Sequence, residues 1–253
     1  MILRHDRGDG VELAYSLLPG AGPTIVFLPG FRSDMNGAKA LELEAFCAER
    51  GQAMLRLDYS GHGASGGDFN DGTIGIWLAD TLRIIDHAAP GKLVLVGSSM
   101  GGWIAILAAL ARPGRIAGLI GIAAAVDFTE RLMWQAMTPP ERQTLLRDGV
   151  LNMPSEYGEP YPITLRLIED GRTWLVLDQP IPLACPVRLL VGQQDADVPW
   201  ELALTLAAQL ESRDVQVMLI KDGDHRLSRP QDLALLRATL AGLLRDLVVE
   251  DAA

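Results

Sequence analysis

The chain has 253 residues, 49% hydrophobic and 21% charged, with a net charge of −10 and a pI of about 4.8. That composition describes a globular protein long enough to bury its core without staples, and its acidic surface argues against nucleic acid as a partner. The two cysteines, Cys47 and Cys185, form no C-x-x-C pair, the N-terminus turns polar at Arg4 without a secretion h-region, and no apolar run reaches the ~18 residues of a membrane span, so the expectation is a cytoplasmic protein with reduced thiols.

Residues 11–17 predict a strand in an opening hairpin. Thr24-Ile25-Val26-Phe27-Leu28 is a continuous apolar strand stopped by Pro29-Gly30. Residues 36–50 carry Leu41, Leu43, Ala45, Phe46 and Ala48 at helical spacing and end at Gly51, a residue suited to a left-handed cap. Residues 53–57 predict the next strand and 61–67 a glycine-rich loop. Residues 73–88 predict an amphipathic helix with Ile74, Trp77, Leu78, Leu82 and Ile85 on one face. A strand over 92–96, a helix over 103–111 and a buried strand over 116–122 follow. This alternation of short apolar strands and helices implies crossover units and a mostly parallel sheet.

The alternation breaks between residues 126 and 182, a stretch rich in prolines that holds Leu132, Met133, Trp134, Met137, Tyr157, Tyr161 and Trp174. Thr138-Pro139-Pro140-Glu141 has an N-cap residue, Pro at N1 and Glu at N3, so a short helix starts there. Residues 163–170 predict another. The stretch reads as a small helical cap inserted over the sheet edge, within a single α/β domain spanning residues 1–253. Beyond it, strands over 187–191 and 215–220 and helices over 199–210 and 230–247 restore the alternation.

Three stretches carry chemistry. Gly97-Ser98-Ser99-Met100-Gly101 joins a strand to a helix and has the G-x-S-x-G spacing of a nucleophile elbow, in which glycines let the two backbones pass and the serine hydroxyl stands clear. The register selects Ser99, since Ser98 has Val96 and Met100 at the same distances. A serine nucleophile needs a base, and the base an orienting carboxylate. On such elbows the acid follows the serine along the chain and the histidine follows the acid. Asp195 and Asp197 follow the strand over 187–191, and His225 follows the strand over 215–220. Asp195 is the favoured acid; Asp197 remains an alternative, or a cap for the next helix. His62, in the glycine-rich loop, is a structural histidine rather than the base. The oxyanion requires two backbone donors, assigned to the N–H groups of Met100 and Phe31. No H-x-x-x-H, H-E-x-x-H or nucleotide-binding glycine pattern is present, so neither metal nor cofactor is expected.

These stretches resemble the alpha/beta-hydrolase superfamily. A closer likeness lies in Pro29 to Gly37, Asp58-Tyr59-Ser60-Gly61, Gly97 to Trp103, Gly118 to Ala123, Cys185 to Leu190 and Asp224-His225-Arg226. Together they are similar to the family of mitochondrial palmitoyl-protein thioesterases that also cleave acyl glucuronides. The resemblance spans about residues 24–245. It implies the alpha/beta-hydrolase fold, a triad on Ser99, Asp195 and His225, and a cofactor-free esterase or thioesterase acting on acylated substrates. Lacking a transit peptide at its start, the chain looks like a bacterial relative.

The expectation is therefore a serine hydrolase of ester or thioester bonds. A peptidase or amidase of the same fold, or a relative that binds ligands without catalysis, are the alternatives. The cap side chains Leu132, Met133, Trp134, Met137 and Trp174 are the expected lining of an acyl pocket.

Overall fold

A computed structural model of the chain describes residues 1–155 and 158–250. Tyr157, counted above among the aromatics of the inserted stretch, lies outside them.

The strands are β1 (Leu3–Asp6), β2 (Glu12–Leu18), β3 (Ala21–Leu28), β4 (Gln52–Leu57), β5 (Leu93–Ser98), β6 (Ile116–Ile122), β7 (Val150–Ser155), β8 (Gly158–Thr164), β9 (Val187–Gly192) and β10 (Val215–Ile220). The helices are α1 (Ala38–Arg50), α2 (Ile74–Ala88), α3 (Met100–Ala111), α4 (Pro139–Asp148), α5 (Leu165–Gly171), α6 (Glu201–Gln209) and α7 (Pro230–Glu250). Eight strands form one sheet in the order β1-β2-β4-β3-β5-β6-β9-β10. The hairpin β1-β2 and the β2-β4 pair are antiparallel, and every pair from β4 to β10 is parallel. His5, on β1, stacks on His87 of α2 at 4.1 Å between ring centroids.

Strand periodicity divides the core. Val26 and Leu28 of β3 and Leu93 and Leu95 of β5 face α2, α3 and α6, where Trp77, Trp103 and Leu206 meet them. Ile25, Phe27, Val94 and Val96 point the other way, onto Leu43 and Phe46 of α1 and Leu236 and Leu240 of α7. Successive strand residues point to opposite faces, so continuous apolar runs are what a sheet covered on both sides requires. Helix α3 is buried all round from Met100 to Ala109, which explains its lack of a polar face.

Local signals set the helix ends. Thr73 Oγ1 accepts from Ile76 N at the start of α2, and Gly51 closes α1 at φ 61°. Thr138 and Glu141 form a reciprocal capping box on α4.

The inserted stretch differs from the sequence reading in two ways. It contains a two-stranded antiparallel hairpin, β7-β8, where only helices are expected. Pro160 and Pro162 disguise β8, since proline is tolerated only where no ladder N–H is needed. Its first turns, Thr129–Trp134, form a π-helix in which Gln135 N donates to Glu130 O at 2.9 Å. The stretch is tied at its base. Asp127, fully buried at φ 57°, accepts from the N–H groups of Val176 and Leu177 at 3.0 Å each, and Arg131 pairs with it at 3.5 Å.

Parallel strands end at a common edge, so the chain segments after β3, β5, β6, β9 and β10 gather there. Glycines allow the closest approaches. A β-carbon on Gly101 would lie 2.1 Å from Leu28 O, and one on Gly97 2.2 Å from Gly101 O. Gly114, by contrast, has no positive φ, and a β-carbon there would meet nothing within 4 Å.

Gly101→Ala is expected to lower stability by about 3 kcal/mol or more, or to prevent folding, because its neighbour is rigid backbone. Gly114→Ala should change it by less than ~0.5 kcal/mol. Urea unfolding of both variants is the measurement; equal effects would refute the packing argument.

Candidate active site

Ser99 takes φ 54° and ψ −121°, a conformation that an L-residue holds only when its surroundings compel it. Ser99 N donates to Ile122 O at 2.9 Å, and its carbonyl accepts from Gly102 N at 2.9 Å and Ala125 N at 3.1 Å. The turn is thus bonded to β6 and to the segment after it, and the side chain is turned towards the strand-end edge.

The segments after β9 and β10 bring the partners. A β-carbon on Gly192 would lie 2.2 Å from Gly223 O, and Gln194 N donates to that same carbonyl at 2.8 Å. The two loops are thereby pressed together. His225 Nε2 lies 3.1 Å from Ser99 Oγ, and His225 Nδ1 lies 2.8 Å from Asp195 Oδ2. The carboxylate only accepts, so Nδ1 carries the proton and Nε2 is free to accept from the serine hydroxyl. Asp195 Oδ1 accepts from Asp197 N at 2.9 Å and Val198 N at 2.8 Å, which fixes the carboxylate plane. The Asp195 side chain is 2% exposed and that of His225 21%, so a buried carboxylate lies beneath a partly accessible imidazole. Asp197 is exposed, borders the cleft and makes no contact of this kind with His225 Nδ1. Nor does it cap α6, whose N-cap is Trp200.

The segment after β3 is gripped from the loop that follows β4. Tyr59 Oη donates to Pro29 O at 3.1 Å, and Asp58 Oδ1 accepts from Met35 N at 2.6 Å. Between these points Phe31 packs its ring against Phe69, Trp77, Phe128 and Tyr161, with centroids 5.0–6.1 Å away. Met100 is the first residue of α3, whose N–H has no partner within the helix. Phe31 and Met100 border the same cleft as Ser99. His62 is buried, and its nitrogens face Ser60 and Arg32 instead of Ser99.

That cleft encloses about 810 Å³ and also borders Ser99, His225, Ala125, Phe128, Leu132, Met133 and Tyr161. Of the five cap side chains expected to line an acyl pocket, Leu132 and Met133 border this cleft. Trp134, Met137 and Trp174 do not. Trp134 lies under the guanidinium groups of Arg142 and Arg172, at 5.2 and 4.6 Å from its ring centroid. Met137 packs into a separate small core with Leu145, Ile163 and Ile168. Trp174 packs beside Gly75 of α2, where its Nε1 would lie 2.9 Å from an added β-carbon. Adjacent residues of a helix point about 100° apart, so Met133 can border the cleft while Trp134 turns to Arg142 and Arg172. Sequence reasoning missed Phe128 and Tyr161 as cleft residues. Phe128 had a signal, its place just past a parallel strand; Tyr161 had none, because β8 reads as loop.

The cleft lining also includes the polar residues Arg32, Ser33, Lys39 and Ser228. Lys39 Nζ donates to Arg226 O at 2.5 Å and so straps α1 to the loop of His225. Burial there pushes the Lys39 ammonium down to about 8. Asp195, Asp197 and His225 each offer a ligand atom within 4.8 Å of one another, yet Asp195 and His225 are already bonded to each other. No helix among the described residues is long and apolar enough to cross a membrane.

Residues 25–235 match the alpha/beta hydrolase family. The chain is 42% identical over 240 residues to the mitochondrial palmitoyl-protein thioesterase ABHD10 of Bos taurus, covering 94% of this chain and 78% of that one. It superposes on alpha/beta hydrolase domain-containing protein 10 from mouse with a TM-score of 0.91 at 40% identity, covering 98% and 99% of the two chains. A protein from Agrobacterium vitis S4 gives a TM-score of 0.92 at 42% identity, covering 96% and 99%.

The two aspartates make different contacts and should behave differently. Asp195→Asn is expected to slow covalent labelling of Ser99 by a fluorophosphonate by about 10³–10⁴-fold, since the amide leaves His225 in the wrong tautomer. Asp197→Asn should slow it by less than about tenfold. The reverse order would move the acid by two residues.

Proposed function

The chain belongs to the alpha/beta hydrolase family and is a hydrolase, and on that premise we propose that it cleaves carboxylic ester and thioester bonds of acylated substrates, with Ser99 as nucleophile. The observation that carries this reading is the hydrogen-bonded line Ser99 Oγ–His225–Asp195 opening into a cleft lined in part by apolar side chains.

Ser99 Oγ attacks the acyl carbonyl while His225 Nε2 takes its proton. Asp195 holds the imidazole and stabilises the imidazolium. Negative charge on the carbonyl oxygen is met by the Phe31 and Met100 N–H groups, the latter at a helix N-terminus. His225 then returns the proton to the leaving alcohol or thiol, and the acyl group stays on Ser99. Water deprotonated by His225 attacks that ester, and the serine is released by the same steps in reverse.

The segment over 126–182 serves as a cap on the single domain, and its underside holds the acyl chain. Phe128, Leu132, Met133 and Tyr161 are the side chains placed to do so, with methionine adapting to chain shape. The name of the 42% identical relative, a palmitoyl-protein thioesterase, supports acyl thioesters within the substrate range.

Ser99→Ala should abolish turnover of activated esters while leaving the melting temperature within a few degrees, because the elbow's packing is backbone packing. Near-normal turnover would refute the assignment, and a fluorophosphonate that does not label the native enzyme would favour a ligand-binding relative.

Activity should rise with acyl length over short to medium chains, by about fourfold in kcat/KM per buried methylene, worth ~0.8 kcal/mol each, and level off when the cleft is full. Met133→Ala and Phe128→Ala should shift that profile, and Trp134→Ala should not. A flat profile unaltered by the first two would place specificity in the leaving group. Amides should be poor substrates.

A further inference from the structure

The glycine-rich loop after β4 is not absorbed by this mechanism, yet it holds a second histidine near the site that is bonded through both ring nitrogens. His62 is 3% exposed and walled by the rings of Tyr59, Phe69 and Trp77, at 5.5, 5.2 and 5.1 Å between centroids. Its Nδ1 lies 3.2 Å from Ser60 O, and its Nε2 lies 3.2 Å from Arg32 N. A carbonyl only accepts and an amide N–H only donates. The tautomer is therefore settled: Nδ1 carries the hydrogen and Nε2 offers its lone pair. Burial lowers the pKa of the ring, which keeps that lone pair available at neutral pH.

The two ends of this bridge differ in rigidity. Ser60 is fixed from several sides. Its N–H and hydroxyl donate to Asp80 Oδ2 at 2.9 and 2.6 Å, Arg7 donates to its Oγ at 3.1 Å, and its carbonyl also accepts from Trp77 Nε1 at 3.2 Å. The glycines on either side of His62 are sterically required. A β-carbon on Gly61 would lie 2.7 Å from Phe69 N, and one on Gly63 2.2 Å from Asp58 Oδ2. The far end is strained, for Arg32 stands at φ 59° without being glycine. Arg32 immediately follows Phe31, and Pro29, two residues before Phe31, is held by Tyr59.

We propose that His62 is a positioning residue, whose Nε2 holds the Arg32 N–H and thereby aims the adjacent Phe31 N–H at the oxyanion formed on Ser99. The inference rests on the function proposed above. Without the bond, Arg32 relaxes to negative φ and the turn from Gly30 to Ser33 opens, which swings the Gly30–Phe31 peptide that carries the Phe31 N–H. Phe31 then leaves its alignment with Met100, and the oxyanion loses one of its two donors. The effect belongs to the transition state, because a ground-state carbonyl calls on that donor far less.

Three substitutions separate this role from general packing. His62→Phe keeps a ring without nitrogens. His62→Gln returns an acceptor at the reach of Nε2, and His62→Asn returns only a donor at the reach of Nδ1. With p-nitrophenyl butyrate, His62→Phe and His62→Asn are expected to lose about 10–100-fold in kcat with KM changed less than about twofold, and His62→Gln to recover most of the loss. Fluorophosphonate labelling of Ser99 should follow the same order. Equal losses in all three variants, losses that track melting temperature, or a raised KM at unchanged kcat would overturn the proposal. If His62→Phe does not fold, the Gln and Asn pair decides by itself. A dead Ser99→Ala beside fully active His62 variants removes only this inference; an active Ser99→Ala removes the function beneath it.

Discussion

Leu28 O leaves no room for a β-carbon at position 101, and much of the site follows from that contact. Helix α3 can begin where it does only because its second residue lies flat against the end of β3. The same contact brings the segment after β3, with Phe31, alongside Ser99 and Met100. Gly97 repeats the arrangement one turn earlier, where strand β5 passes under Gly101 O. Ser99, between the two, is left with a positive φ that it would not choose alone, and bonds to Ile122, Gly102 and Ala125 hold it there. The strain is local and is offset by the all-round burial of α3, whose apolar sequence serves the elbow as much as the core.

A second close contact does the same for the other partners. Gly192 and Gly223 meet backbone to backbone, which sets the loops carrying Asp195 and His225 at hydrogen-bonding distance. The geometry around Ser99 therefore depends little on side-chain packing at the site. It depends on glycine contacts behind the site, placed by parallel strands whose ends share one edge. The loop after β4 adds the third support, with Tyr59, His62 and Asp58 holding positions 29, 32 and 35.

These dependencies explain what could be read from the sequence. The parallel sheet, its helices and the positions of Ser99, Asp195 and His225 are legible because steric rules attach to particular residue types at particular spacings. Glycine at 97 and 101, or Asp195 three residues past Gly192, is a local signal. The lining of the cleft is not local. Met133 borders it and Trp134 does not, because neighbouring helical residues face different ways and nothing local says which of the two faces the cleft. Tyr161 enters through a proline-bearing hairpin that reads as loop. The long-range contact of His62 was hidden for another reason: the glycines beside it and Ser60 two residues before it are visible, but Arg32 lies on a segment that meets this loop only in the folded chain.

The buried carboxylate of Asp127 has a consequence for how such a protein diversifies. By bonding the amides of Val176 and Leu177 it joins the entry of the inserted stretch to its exit, 49 and 50 residues apart along the chain. The sheet meets that stretch as a loop already closed, and closure entropy grows only slowly with the length enclosed. Residues between the two feet can then be lengthened, shortened or exchanged without moving the ends of β6 and β9. Asp127 thus works as a clasp: it fixes where the inserted stretch leaves the sheet and where it returns, whatever the chain does between.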